Sequence, residues 1–362
     1  MSTTDSNTKL TRQALQDRIK GLSDEPPTIA QLDLSGQDYR AIDLSGGVFS
    51  EVDFSGCDFS ESNLGQASFV KCNLDGCRFH ASELTGVNLV ECSLVGAHCQ
   101  QLTLTSLNLI DSILNQARFV DCQFEKTNFV KCQLNRASFV GSHFLNTNFI
   151  NPKLNNSDWQ NTTHYRTNYI EPEFLGANFN GANLELVFFQ KANFDRFDFR
   201  RVNIKICQFR ESSLKSANFA DCTLSQCGFM EAQLERTNFK GAIANNAMFI
   251  KATINNSDFS GCQLDQALFN EASIRQSNFA KASLVQAQFT DANVSESSFD
   301  GCDLTFADFS NADMTDALVS HATLLRANLH CIKDKGTNWF GSDRTLAYGT
   351  DKTREKAENF SQ

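Results

Sequence analysis

Long apolar runs are missing from this chain of 362 residues, and with them any stretch of roughly 18–20 residues fit to cross a bilayer as a helix. Met1 to Lys9 is polar and lacks the apolar core of a secretory signal, so the expected compartment is the cytoplasm, with no membrane association. There is no glycine-rich phosphate loop, and no candidate nucleophile is placed with a base. The six histidines are scattered. His80 and His98 could lie on one face near Cys99, but no third metal ligand joins them. An enzyme is therefore not expected, nor a cofactor or metal. An excess of base is missing too. Lys and Arg number 32 against 42 Asp and Glu, a formal charge of −10, which argues against direct nucleic-acid binding through a basic patch.

What the chain has instead is a five-residue beat. From Leu34 to Leu329 every fifth residue is nearly always Leu or Phe, giving sixty centres in one register without an insertion or deletion. Centres ending in 4 are mostly Leu, as at Leu34, Leu44, Leu64 and Leu74. Those ending in 9 are mostly Phe, nearly unbroken from Phe179 to Phe309. A repeat this short predicts a solenoid whose units stack on their neighbours. If one pentapeptide makes one side of a coil, a three-sided coil would mix Leu and Phe in every stack. A four-sided coil of 20 residues gives pure stacks, with Phe on two opposite faces and Leu on the other two. A second signal has the same period: Val70, Val90, Ile110, Val130, Ile150 and Ile170. The expected fold is all-β, with about fifteen square coils. At ~4.8 Å per strand this makes a rod about 70 Å long. Each buried Phe contributes about 1.5–3 kcal/mol, plus ring packing along its column.

Several stretches carry a recognisable pattern of Ala, then Asp or Asn, then Leu or Phe, then a small polar residue: Ala177-Asn178-Phe179-Asn180, Ala182-Asn183-Leu184, Ala307-Asp308-Phe309-Ser310 and Ala312-Asp313-Met314-Thr315. In these the chain resembles the pentapeptide-repeat family, over about four-fifths of its length. The resemblance implies a right-handed quadrilateral β-helix. It does not imply one function, because function lives in sites and not in the fold.

Three segments are expected. Residues 1–31 are polar and hold a capping helix near 8–22, with Leu10, Ala14, Leu15, Ile19 and Leu22 on one face and a break at Ser23 to Thr28. Residues 32–330 form the β-helix. Residues 331–362 are a C-terminal cap or tail, with a last helix at 351–360. The short helices are expected to cover sheet ends that would otherwise pair with other chains. Eleven of the thirteen cysteines sit two residues before a centre, in a slot that otherwise holds Ala, Ser or Thr. That slot points inward, so these cysteines are expected to be small buried residues with reduced thiols.

Two places stand out as candidate sites. Val70, Val90, Ile110, Val130, Ile150 and Ile170 each follow a centre and should face solvent, forming an apolar strip for self-association or a partner. A charged ladder runs beside it: Glu51, Lys71, Glu91, Asp111, Lys131, then Glu171 and Lys191. An Asn ladder from Asn88 to Asn168 flanks the other side. The second place keeps the count but breaks the chemistry. Pro152 and Pro172 occupy the inward slot one coil apart, and Trp159, His164 and Tyr169 replace three Leu/Phe centres. Tyr165 and Phe188 take outward slots. These residues predict a kink or an exposed aromatic patch.

The function expected from these features is a non-catalytic scaffold or adaptor with a protein partner, capable of forming a homo-oligomer. Pentapeptide modules beside secretion machinery look like adaptors, and the Asp-Leu-Ser-Gly sequences at Asp33–Gly36 and Asp43–Gly46 are similar to them. The family also implies an alternative, a DNA mimic that protects DNA gyrase and topoisomerase IV, as in quinolone-resistance members. Against it, bases are interspersed with the acids on every face here.

Overall fold

The computed structural model describes residues 10–20 and 28–360, in two compact units divided between Asn183 and Leu184. In the first unit, strands of three residues stack in parallel with an offset of 20 in every pair. One face runs Thr28–Ala30, Val48–Ser50, Ser68–Val70, Asn88–Val90, Asn108–Ile110, Asn128–Val130, Asn148–Ile150 and Asn168–Ile170. A second face stacks Thr103–Thr105, Gln123–Glu125, His143–Leu145 and Thr163–Tyr165. Single parallel bridges at the same offset complete the other sides, as at Asp33↔Asp53 and Asp38↔Asp58. Four pentapeptides therefore make one coil, as the two 20-residue signals require. Within the second unit the same offset joins Phe188 to Gln208 and continues to Asn328↔Tyr348.

The interior is built from the centres. Phe199, Phe219, Phe239, Phe259, Phe279 and Phe299 form one near-parallel column with ring centroids 4.3–5.1 Å apart. Phe209 to Phe309 form the opposite column at 4.6–5.3 Å. Rings of the two columns meet edge to face, as Phe249 meets Phe259 at 5.7 Å and 86°. Both geometries suit the ring quadrupole. All eleven slot cysteines are buried. Nine of their thiols donate to the carbonyl of a centre one coil away, as Cys57 Sγ to Leu34 O at 3.0 Å, Cys77 Sγ to Phe54 O at 3.0 Å, and Cys302 Sγ to Phe279 O at 2.9 Å. Thr127, Ser257 and Ser277 do the same with hydroxyls. The slot favours small donors because that carbonyl has a second lone pair to satisfy.

Each corner needs a left-handed residue, a constraint the repeat pattern alone did not reveal. From Gln31 to Gly341 the second residue after a centre has φ between 49° and 76° everywhere but at Arg201, and fourteen of the nineteen glycines fall there. At many corners the turn is of type II: Ala137 N donates to Leu134 O at 3.0 Å while Arg136 has φ 59°. The Asp or Asn before a centre braces the same turn, as Asp33 Oδ1 accepts from Ser35 N at 2.9 Å. The aligned carboxylates Asp33 and Asp53 thus serve turns and not acid–base chemistry.

The ends depart from the expected boundaries. The ladder begins at Thr28 and does not stop near 330: Lys333, Asn338 and Tyr348 bridge back to Asp313, Leu318 and Asn328. The beat is lost there because Asp334 and Arg344 replace apolar centres of this last coil and leave Trp339 between them. Arg344 bonds Asp334 at 2.9 Å and lies 4.4 Å over the Trp339 ring, closing the interior with a polar lid. Two helices flank the coils, α1 (Arg12–Lys20) and α2 (Lys352–Phe360). Leu15 of α1 is fully buried, and Arg12 donates to Ala41 O at 2.8 Å. Leu22 and residues 23–27 of the expected break lie outside the described residues.

Candidate interaction surface

The first candidate is assembled as its spacing implies. In the first unit Val70, Val90, Ile110, Val130, Ile150 and Ile170 stand in direct register, one per strand. Ile110 is exposed and the other five are half-exposed. The centres beneath them, from Phe69 to Tyr169, are at most 6% exposed and already fill the interior. Beside the column the Asn side chains bond in series: Asn108 Nδ2 to Asn88 Oδ1 at 3.0 Å, then Asn128 to Asn108, Asn148 to Asn128 and Asn168 to Asn148, each at 2.8 Å. On the other flank Lys71 and Glu91 pair at 3.8 Å. The face is therefore flat and ordered, with an apolar column between an amide ladder and a charged ladder.

The second candidate differs from expectation. Trp159, His164 and Tyr169 are 0–1% exposed, so the expected aromatic patch is interior. Trp159 stacks 4.2 Å from Phe139, His164 4.7 Å from Phe144, and Tyr169 4.7 Å from Phe149. Their polar atoms find partners inside. Trp159 Nε1 donates to Ser157 Oγ at 2.7 Å. The Tyr169 hydroxyl and His164 Nδ1 meet at 3.2 Å, and His164 Nε2 meets Thr162 Oγ1 at 3.0 Å. Burial holds His164 down to about 3, so the ring is neutral. With Nδ1 accepting from tyrosine, Nε2 carries the proton toward Thr162, whose hydroxyl donates on to Trp159 O.

Nor does Pro152 break the ladder: Lys153 still bridges to Gln133 and Glu173. The reason is the corner type. At this corner Cys92 and Ala192 send their N–H to a serine hydroxyl one coil on and not to a turn carbonyl, so proline withholds no turn bond. Pro172 occupies the same slot and is buried. Of the outward residues, Tyr165 is 37% exposed with Arg166 5.1 Å over its ring, and Phe188 is half-exposed.

Sequence reasoning missed one cluster. Among the described residues, His330, Cys331 and Glu358 bring potential metal-ligand atoms within 4.8 Å of one another. The hydrogen bonds give it another role. His330 Nδ1 accepts from Asp351 N at 3.1 Å, so Nε2 carries the proton and donates to Glu358 Oε2 at 3.1 Å. A metal on Nε2 would move that proton to Nδ1, against the Asp351 N–H. Hydrogen bonds from His330 and then Arg354 hold the Glu358 pKa below its ordinary value. The cluster anchors α2 to the last coils. It could not be found by spacing, because 28 residues separate His330 from Glu358. Of the other histidine pair, His98 stacks between Arg78 and Arg118.

Comparison with known proteins bears on family and not on partner. The description "Pentapeptide repeats (8 copies)" matches residues 40–76, 48–86, 72–109 and 82–119, and "Pentapeptide repeat region" matches 112–189, 222–290 and 252–330. No curated protein matches the chain. Among solved structures, HetL from the cyanobacterium Nostoc sp., involved in heterocyst differentiation regulation, is 19% identical, with 70% of this chain and 88% of that one covered and a TM-score of 0.24. QnrB1, a plasmid-mediated fluoroquinolone resistance protein, is 18% identical over 73% and 98%, with a TM-score of 0.24. A pentapeptide repeat protein from the Arabidopsis thaliana thylakoid lumen is 31% identical over 30% and 71%, with a TM-score of 0.19.

Proposed function

This chain belongs to the pentapeptide-repeat family, and on that footing we propose that it is a non-catalytic protein–protein interaction scaffold docking through the column from Val70 to Ile170. One observation carries the reading. Six β-branched side chains stand outward in register over an interior that does not need them, on a flat ordered face. A cytoplasmic location is part of the proposal, supported by buried thiols engaged as hydrogen-bond donors. Its narrower form, an adaptor beside secretion machinery, is motivated by the Asp-Leu-Ser-Gly entry at Asp33 to Gly36.

The test is the triple variant Val90→Thr, Ile110→Thr and Val130→Thr. Threonine keeps the β-branching, and outward positions tolerate it at roughly 0.5 kcal/mol or less per site. The melt should hold while association in a pulldown weakens, because hydroxyls in the patch centre lose water on docking. Unchanged association with an unchanged melt would reduce the column to strand propensity. A large loss of melting temperature would mean the side chains belong to the core.

A further inference from the structure

Resting on that docking surface, we infer that its occupant is a second copy of the chain, packed face to face with coil order reversed. The two-fold axis runs parallel to the strands and passes between the coils of Ile110 and Val130. Such an axis places each outward column against itself in reverse order. The apolar column then overlaps over its whole length: Val70 opposite Ile170, Val90 opposite Ile150, Ile110 opposite Val130. The Asn ladder faces the Asn ladder. Asn128 and Asn148 each use one donor and one acceptor along the column, leaving the second of each for the facing copy.

The charged ladder fits the same axis. Lys71 falls opposite Glu171, Asp111 opposite Lys131, and Glu91 opposite the neutral Asn151. No like charges meet. Shifting the register by one coil either way destroys this. One shift sets Asp111 against Asp111 and Glu51 against Glu171; the other sets Lys131 against Lys131 and Glu91 against Glu171. Apolar overlap and charge pattern thus select the same dyad independently, and the neighbouring registers are opposed by like-charge contacts. The face is about 24 Å long at the usual strand spacing and buries on the order of 600 Å² in all, below standard interfaces, so a reversible dimer of micromolar affinity is the expectation.

Sedimentation equilibrium of the full chain, at loadings up to about 0.5 mM to suit an interface of that size, reads the outcome. The wild type should dimerise reversibly. Lys131→Asp sets Asp111 against a new aspartate twice per dimer and should weaken association at least about tenfold. Adding Asp111→Lys restores opposite charges and should bring affinity back to within about threefold of wild type. Both residue types occupy this corner slot elsewhere, at Lys71 and Asp121, so the fold should hold, with melting as the control. A wild type that stays monomeric, a single variant with no effect, or a double variant as weak as the single overturns the inference. A monomeric chain whose threonine triple variant still loses a captured partner would reject the second copy and leave the docking surface standing.

Discussion

His164 is a titratable ring in a position that elsewhere holds Leu or Phe, and its chemistry can be read in the pH dependence of folding. Its folded-state pKa is depressed to about 3 by burial, against 6.5 when solvated. The unfolded chain therefore binds a proton between those values that the folded chain refuses. The stability this entails is complete above 6.5 and falls as pH drops toward 3, by about 2 kcal/mol at pH 5. Replacing His164 alone would take the acceptor from the buried Tyr169 hydroxyl, a cost of about 1–3 kcal/mol. The double variant His164→Phe with Tyr169→Phe instead continues the stacks below, formed by Phe144 and Phe149. Its melting temperature should drop less between pH 7 and pH 5 than that of the wild type. Equal drops would mean that the ring is not shielded as the geometry has it.

At the scale of the element, the two kinds of corner make different demands on one slot. Ala137 N–H closes a type II turn on Leu134 O, whereas the corner of Cys132 is of the kind that accepts Pro152 one coil on. Both slots follow a left-handed residue, Arg136 with φ 59° and Lys131 with φ 53°, as Pro152 follows Asn151 with φ 49°. Cys132→Pro should thus cost under about 1 kcal/mol, mainly the thiol bond to Leu109 O, while Ala137→Pro loses a turn bond and should cost about 1–3 kcal/mol. Denaturant titration of both variants decides this, and equal costs would remove the distinction between corners. The left-handed slot itself was legible in hindsight, since glycine concentrates there. It was masked because bulky residues such as Ile206 and Phe306 also occupy it, and the Phe306 N–H donates to Leu325 O in the ladder at 2.9 Å.

Across the whole molecule, what was legible is what repeats. The 20-residue coil could be read because Phe199 and Phe219, or Val90 and Ile110, must stack to be useful, and the facing of the column followed from strand alternation. Where the code changes, legibility ends: Asp334 and Arg344 flank Trp339 in a coil without the Leu and Phe centres of the repeat, and His330 meets Glu358 only through the placement of α2. Charge was legible in sum, and the structure adds how it is arranged. Acids are answered by bases one coil away, in Lys205 with Glu185, Arg210 with Glu231, Lys251 with Glu271 and Arg275 with Glu296. Such exposed pairs are each worth only about 0–1 kcal/mol, so they matter little for stability. Their consequence is electrostatic. Duplex DNA presents one negative charge about every 1.7 Å with no cation built in. Here each such pair cancels locally, so the remaining excess of acid, −10 over the whole sequence, gives a weaker and less regular field than a duplex presents. The chain should therefore leave supercoiling by DNA gyrase unchanged at protein concentrations on the order of 10 μM, where a mimic relying on its field would compete with DNA. A supercoiling assay with and without a quinolone checks this. Inhibition or protection in the low micromolar range would show that shape along these coils suffices for the enzyme without a matching charge pattern, and would put the docking surface on the acidic residues and not on the column from Val70 to Ile170.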